Sequence, residues 1–283
     1  MKTNIQVPPC IKIGAGALQE LPDLLSEMQL LSPLCVVDPN LIRLGVTEPI
    51  FASLAGAGVS LAVFDKIVED PTDISVNAAV EKIAQGGHDG LIAIGGGSSI
   101  DTAKAAALTA RLCKPISNFK VPKINNEPGL PVIAIPTTAG SGSEVSQACV
   151  ITDSVTNEKM LILGRACLPS ASIIDFELSM TCPLSVTAYT GLDAFCHALE
   201  AAVNRNRNSY SDALAFSALS LIGHNLEIVC GDLGNRKARE AMAMGAMQAG
   251  LAVSNTNTAL IHGMSRPLGA LFHVPHGLAI AML

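Results

Sequence analysis

The chain of 283 residues is 49% hydrophobic and only 15% charged, with a formal net charge of −6. That balance excludes a disordered chain, and with no basic stripe anywhere it argues against a nucleic-acid partner. A mean hydropathy of +0.43 points to large buried helices or an oligomer interface. The start, MKTNIQVPP, lacks the apolar core of a signal peptide, and runs such as LIAIGGG and PVIAIPTT fall short of a membrane span. A cytoplasmic chain without a membrane partner is therefore expected. The eight cysteines include no CxxC pair, and most lie in apolar runs as small core residues of a reducing compartment.

In chain order, LCVVD (34–38), SLAVFD (60–65), GLIAIGG (90–96) and PVIAIPTT (131–138) are short, apolar and β-branched, as buried strands of a parallel sheet are. Amphipathic stretches lie between them, such as DISVNAAVEKIAQGG, where Gly86-Gly87 stops a helix. Strand and helix in alternation imply a doubly wound α/β domain. From about residue 185 the chain changes to long alanine-rich stretches of helical period, among them LSVTAYTGLDAFCHALEAAV and SYSDALAFSALSLIGHNLEIV. The expectation is an α/β domain over 1–180 followed by an all-α domain over 181–283.

GLIAIGGGSSIDTAK reads as strand, three glycines, helix. Gly95, Gly96 and Gly97 let the backbone approach a phosphate, and the helix that follows offers free N–H groups to an anion. Ser98 or Ser99 can cap that helix, with Asp101 and Lys104 in its first turns. The run is neither GxGxxG nor a P-loop, so a plain tight turn stays open beside phosphate binding. Asp38 ends the LCVVD strand, where it can accept from both hydroxyls of a ribose or simply hold the turn before Pro39. PTTAGSGSEVS supplies hydroxyls at Thr137, Thr138 and Ser141, and it departs from the GxSxG nucleophile elbow at Ala139 and Ser143. In GLDAFCHALEA, Asp193 and His197 are one helical turn apart and share a face. His262 and His276 follow in HGMSRPLGALFHVPHG. One carboxylate and three imidazoles suit a divalent transition metal, although Pro267 and Pro275 argue against one helix carrying both late histidines. His88 reads as a turn residue and His224 as structural.

Taken in order and spacing, GGGSSIDTAK, PTTAGSGSE, GLDAFCHALEA and HGMSRPLGALFHVPHG resemble the iron-containing (group III) alcohol dehydrogenase family over essentially the whole chain. The resemblance implies a dinucleotide-binding α/β domain followed by a helical metal-binding domain, the architecture also found in dehydroquinate synthase. It implies an NAD-dependent oxidoreductase, commonly a homodimer, that moves a hydride between a small primary alcohol or aldehyde and NAD. Metal ligation is implied at Asp193, His197, His262 and His276, with Fe(II) as the metal and Zn compatible with the same donors. The pyrophosphate is implied at Gly95, Gly96, Gly97 and Ser98, with Asp101 in the same motif, and the adenosine ribose at Asp38, which favours NAD over NADP. The nicotinamide side falls to Thr137, Thr138, Ser141 and Lys159, and Val253 matches a position that shapes the substrate pocket.

Two departures stand out. Where many relatives carry a further histidine, this chain has Arg266, which leaves proton transfer to solvent, to the ribose or to His273. Arg266 can instead bind an acidic substrate, or serve only in a surface salt bridge or helix cap. The resemblance also implies further helices beyond Leu283, so the helical domain is expected to be incomplete relative to the family. Two rival readings follow: a metal- and NAD-using lyase of the dehydroquinate synthase type, and an inactive, truncated scaffold subunit.

Overall fold

The computed structural model describes residues 3–59, 61–272 and 274–283. Two compact units emerge: an α/β unit of residues 8–136 and 147–175, and a helical unit of the segment ending at Val7, residues 137–146, and residues 176–283.

The α/β unit runs β1 (Cys10–Ile13), α1 (Leu21–Glu27), β2 (Leu34–Val37), α2 (Pro39–Arg43), α3 (Glu48–Gly56), β3 (Ala62–Phe64), α4 (Asp73–Gly86), β4 (Leu91–Gly95), α5 (Gly97–Leu112), β5 (Val132–Pro136), β6 (Ala148–Thr152), β7 (Lys159–Leu163) and β8 (Ala171–Ile174). Six strands form one sheet in the order β1-β8-β5-β4-β2-β3, every pair parallel. β2, β4 and β5 are buried at every position, which is why they are continuous apolar runs rather than alternating ones. The strand expected over 60–65 is the shorter β3; Ser60 lies outside the described residues. α4 stops where expected, with Gly87 at φ 61° as its left-handed cap.

Four strands were not anticipated. β1 and β8 extend one edge of the sheet, and β6 with β7 makes a separate antiparallel hairpin. The hairpin docks on α5 through two polar ties: Lys104 Nζ donates to the Ala148 carbonyl at 2.9 Å, and Val150 N–H donates to Asp101 Oδ2 at 2.9 Å. The acid and the amine of the GGGSSIDTAK motif thus secure a neighbouring element. Burying the Lys104 ammonium is tolerable because it is hydrogen-bonded.

The helical unit contains α6 (Leu184–Val203), α7 (Ser209–Gly231), α8 (Arg236–Ser254), α9 (Leu260–Phe272) and α10 (His276–Ala281). α6, α7 and α8 bury alanines and a few larger residues, among them Ala194, Ala198, Ala218, Ile222, Met242 and Ala246. Small side chains let the axes approach closely; Gly245 leaves no room for a Cβ against Ile222. α7, at 23 residues, is long and apolar enough to cross a bilayer, contrary to the expectation that no stretch would be. It buries Ala215, Ala218, Ile222 and Val229 within the helical unit, while Phe216 and Ile228 stay exposed. Its start is capped by Asn208, whose side chain accepts from Tyr210 and Ser211 N–H.

Candidate functional site

Asp193 and His197 stand one turn apart on the buried face of α6. α9 brings His262 to them and α10 brings His276. The two late histidines lie on separate helices, as expected, but Pro267 is not the break: it sits inside α9, on the exposed side with Gly263, so the Gly263 carbonyl that loses its partner faces water. Pro275 does mark a boundary, capping the start of α10 at His276.

The four groups converge on one atom. Asp193 Oδ1 lies 3.3 Å from His262 Nε2, 3.7 Å from His276 Nε2 and 3.8 Å from His197 Nε2. Ligand atoms of Asp193, His262 and His276 all fall within 4.8 Å of one another. The His197 and His262 rings stack with centroids 4.4 Å apart. Two ligand atoms on one metal, each about 2.1 Å from it, sit about 3.0–3.4 Å apart. The three spacings to Asp193 Oδ1 are at most a few tenths of an ångström wider, and His197 reaches the cluster through Asp193 Oδ1 without joining the tighter group of Asp193, His262 and His276. Among the described residues, Asp193 Oδ1 and His262 Nε2 are buried without a hydrogen-bond partner, an expensive arrangement unless a cation compensates. The residues therefore fit a divalent metal, and the His276 side chain, 44% exposed, leaves one side of the cluster open.

The cluster's electrostatics follow from burial and proximity. Burial opposes the Asp193 charge, but the three imidazoles outweigh it and hold the carboxyl below the usual carboxylate range. His197 is pushed down to about 4 by burial, against the pull of Asp193. His262 goes the other way: burial opposes its charge, yet the carboxylates of Asp193 and Glu200 raise it to about 9.

Glu200 is the residue that sequence reasoning missed. It lies on α6, three residues after His197 and seven after Asp193, hence on the same face. Buried at 3% exposure, it accepts from His262 Nδ1 at 2.7 Å, from Ala259 N–H at 2.8 Å and from His262 N–H at 3.2 Å. Burial disfavours its charge, but these donors outweigh that and bring the carboxyl down to about 2.

In the α/β unit, the chain leaves β2 toward β3 on one side and, after returning to β4, leaves toward β5 on the other. The carboxyl ends of β2 and β4 therefore flank the topological switch point, where ligands bind in open α/β sheets. Asp38 and Gly95–Gly97 sit there: Asp38 N–H donates to the Ile94 carbonyl at 3.2 Å. Asp38 Oδ1 also accepts from Asn40 N–H at 2.8 Å, so it does hold the turn before Pro39 and caps α2. Neither Ser98 nor Ser99 caps α5, contrary to expectation. Gly96 is the cap, and both serines already lie within the helix. Gly95, at φ 150°, adopts a conformation closed to most side chains, and a Cβ there would come within 2.3 Å of Ser99 Oγ. Lys159, on β7, pairs with Asp70 at 2.7 Å.

In the helical unit, Thr137 is buried and its carbonyl accepts from Cys182 Sγ at 3.2 Å, Thr138 is half-buried, and Ser141 Oγ accepts from Ser143 N–H at 3.3 Å. Gly142, at φ 63°, packs directly on Gly250 of α8. Val253, on α8, packs with Ala201, Ala202, Ala215 and Ala252. Arg266 turns back along α9 toward Thr258 Oγ1, 3.5 Å away, and feels the Glu200 charge. His273 lies outside the described residues. His88 Nδ1 meets the Ser32 carbonyl at 2.9 Å, and His224 Nδ1 meets the Ser220 carbonyl one turn back on α7 at 2.6 Å.

A parallel sheet with a glycine turn at its switch point, and a helical unit with a metal-type cluster, are the two parts of a metal- and dinucleotide-using enzyme. Residues 8–176 match the family model "Iron-containing alcohol dehydrogenase", and residues 187–283 match "Fe-containing alcohol dehydrogenase family, C-terminal". The chain belongs to the iron-containing alcohol dehydrogenase family. It is 37% identical over 276 residues to the NAD-dependent methanol dehydrogenase of Bacillus methanolicus, covering 98% of this chain and 72% of that one. It is 35% identical over 273 residues to the lactaldehyde reductase of Escherichia coli, covering 95% of this chain and 71% of that one. Among solved structures, the sulfoacetaldehyde reductase of Bifidobacterium kashiwanohense in complex with NAD+ superposes with a TM-score of 0.93 at 30% identity, covering 100% of this chain and 75% of that one.

Proposed function

We propose that the chain is an NAD-dependent, metal-dependent oxidoreductase that interconverts a small primary alcohol and its aldehyde. The observation that carries this is the convergence of three imidazole nitrogens on Asp193 Oδ1, from three different helices, in a member of this family. Family membership favours the oxidoreductase over the lyase and the inactive scaffold. Asp193, His197, His262 and His276 hold the metal, Fe(II) by family and Zn by donor chemistry. When bound, the ion supplies a Lewis acid that polarises the reacting oxygen.

The protein's own residues do the rest. Gly95–Gly97 and Ser98, with the free N–H groups at the start of α5, take the pyrophosphate, while Asp101 keeps the neighbouring hairpin in place. Asp38 keeps acceptor capacity for the ribose hydroxyls beyond its cap to Asn40, and its charge disfavours a 2′-phosphate. Thr137, Thr138, Ser141 and Lys159 serve the nicotinamide side, and Val253 the substrate. His273 relays the proton, and Arg266 steadies the entry into α9 beside Glu200 rather than receiving the substrate. The reading extends to a cytoplasmic homodimer with no membrane or nucleic-acid partner. Eight free thiols suit a reducing compartment, and apolar residues such as Leu260 and Leu271, each 72% exposed, suit burial against another surface.

The test is cofactor reduction, followed at the nicotinamide absorbance, with a panel of primary alcohols and added Fe(II) or Zn. Metal-dependent reduction of NAD is expected. A chain that binds metal and NAD yet reduces none, across the panel, defeats the reading.

Metal uptake should depend on pH through His262. Raised to about 9, this imidazole is largely protonated near neutrality and must release a proton to bind the ion. His197, lowered to about 4, is already neutral there. Apparent Zn affinity should therefore rise about tenfold per unit between pH 7 and 8 and level off above pH 9. Calorimetry in buffers of different ionisation enthalpy counts the released protons; a flat profile contradicts the assignment.

A further inference from the structure

We propose that Glu200 is the positioning residue for His262: it selects the ring's Nδ1–H tautomer and fixes the ring together with the first turn of α9. This rests on the reading that Asp193, His197, His262 and His276 hold a divalent metal.

The geometry is one-sided in an informative way. The hydrogen bonds Glu200 accepts come from residues 259–262: one ring N–H and two backbone N–H groups. An ionised carboxylate only accepts, so His262 Nδ1 keeps its proton, and Nε2, 3.3 Å from Asp193 Oδ1, is the nitrogen that gives up its proton and presents a lone pair when an ion binds. A single acid thereby decides which nitrogen can ligate and where the ring points. Its charge also sits at the N-terminus of α9, where the helix dipole favours it. His197 is built differently. Its Nδ1 is buried and has no hydrogen-bond partner among the described residues. The cluster's outer support is thus concentrated on the histidine that α9 delivers, and α9 has to be docked onto α6 for that histidine to arrive. Through the two backbone bonds, the carboxylate that orients the ring also docks the helix that carries it.

A plain helix cap would make the two backbone bonds and nothing more, so the test separates the two roles. Glu200→Gln keeps the side chain's length but offers one acceptor oxygen where three donors now converge; Glu200→Asp keeps the charge on a shorter arm. Zn dissociation constants are measured by competition with a chelating dye. Co(II) uptake is followed by its ligand-field absorption, NAD binding by titration, and amide exchange over residues 260–272 by mass spectrometry. E200Q is expected to bind Zn about 10–100-fold more weakly, as removal of an outer-shell carboxylate does, and to shift the Co(II) bands, with NAD binding unchanged. E200D should recover part of the affinity. E200Q or a folded E200A that binds Zn with the wild-type constant and an unaltered Co(II) spectrum, while α9 amides exchange faster, makes Glu200 a cap only and overturns the positioning role. A wild-type chain that takes up neither ion overturns the ligand reading, and the role of Glu200 with it.

Discussion

Asp193→Ala is expected to abolish metal retention and to lower alcohol oxidation by at least about 10³-fold, the consequence of losing several kcal/mol of Lewis-acid stabilisation. Asp193 is the node of the cluster: its Oδ1 is the one atom that all three imidazoles approach, at 3.3–3.8 Å. It is also the only anionic donor among the four, so the substitution removes the charge that favours a dication over competing protons. His262→Ala should have a similar but smaller effect on metal content, because three donors including the carboxylate remain. Elemental analysis of the purified variants decides the matter: wild-type metal content in D193A sinks the ligand assignment, whatever its activity.

The fold was legible where burial is complete. β2, β4 and β5 are dry on both faces, so each appears as an unbroken apolar run bounded by turn residues. Three of the four strands that escaped notice have mixed surroundings, and β1 is only half-buried at each position, an edge strand of four residues. β8 is buried throughout, but ASII is only four residues long and carries a serine, so it forms no apolar run. The β6–β7 hairpin did carry a signal, since Cys149, Ile151, Met160 and Ile162 are buried at alternate positions with half-buried residues between them. Period-two alternation across the DSVTNE turn was there to be read.

The metal cluster divides in the same way. Asp193 and His197 announce themselves by spacing alone, because one helix carries both. No spacing rule links them to His262 and His276, and the resemblance supplied that step. Pro267 misled because its cost depends on exposure, and the side of α9 that carries it faces water. Glu200 was hidden for a deeper reason. The i+3 step from His197 places it on the right face, but a glutamate on an alanine-rich helix is ordinary until α9 brings three donors to it. The serines after the glycine turn failed as caps because β4 ends at Gly95 and α5 begins two residues later, so the chain turns within the glycines themselves.

That compression makes Gly95 the position where stability and cofactor binding should fall together. At φ 150° an alanine pays backbone strain of about 1–3 kcal/mol. Its Cβ would stand 2.3 Å from Ser99 Oγ and 2.8 Å from Ser99 Cβ, and Ser99 is 1% exposed in the tightly packed start of α5. Rotating the hydroxyl relieves the first contact but not the second, so α5 must shift, at a further cost of about 1–3 kcal/mol. Gly95→Ala should thus destabilise the α/β unit by about 2–6 kcal/mol, read as a lower thermal midpoint. A displaced α5 start also moves the N–H groups assigned to the pyrophosphate, so NAD affinity should drop at least tenfold at temperatures where the variant is still folded. Zn binding, which depends on α6, α9 and α10, should survive in the same sample. If G95A melts and binds NAD like the wild type, the glycine turn is not the dinucleotide site. If Zn binding falls in step with NAD binding, the loss is one of general folding, and the local argument fails.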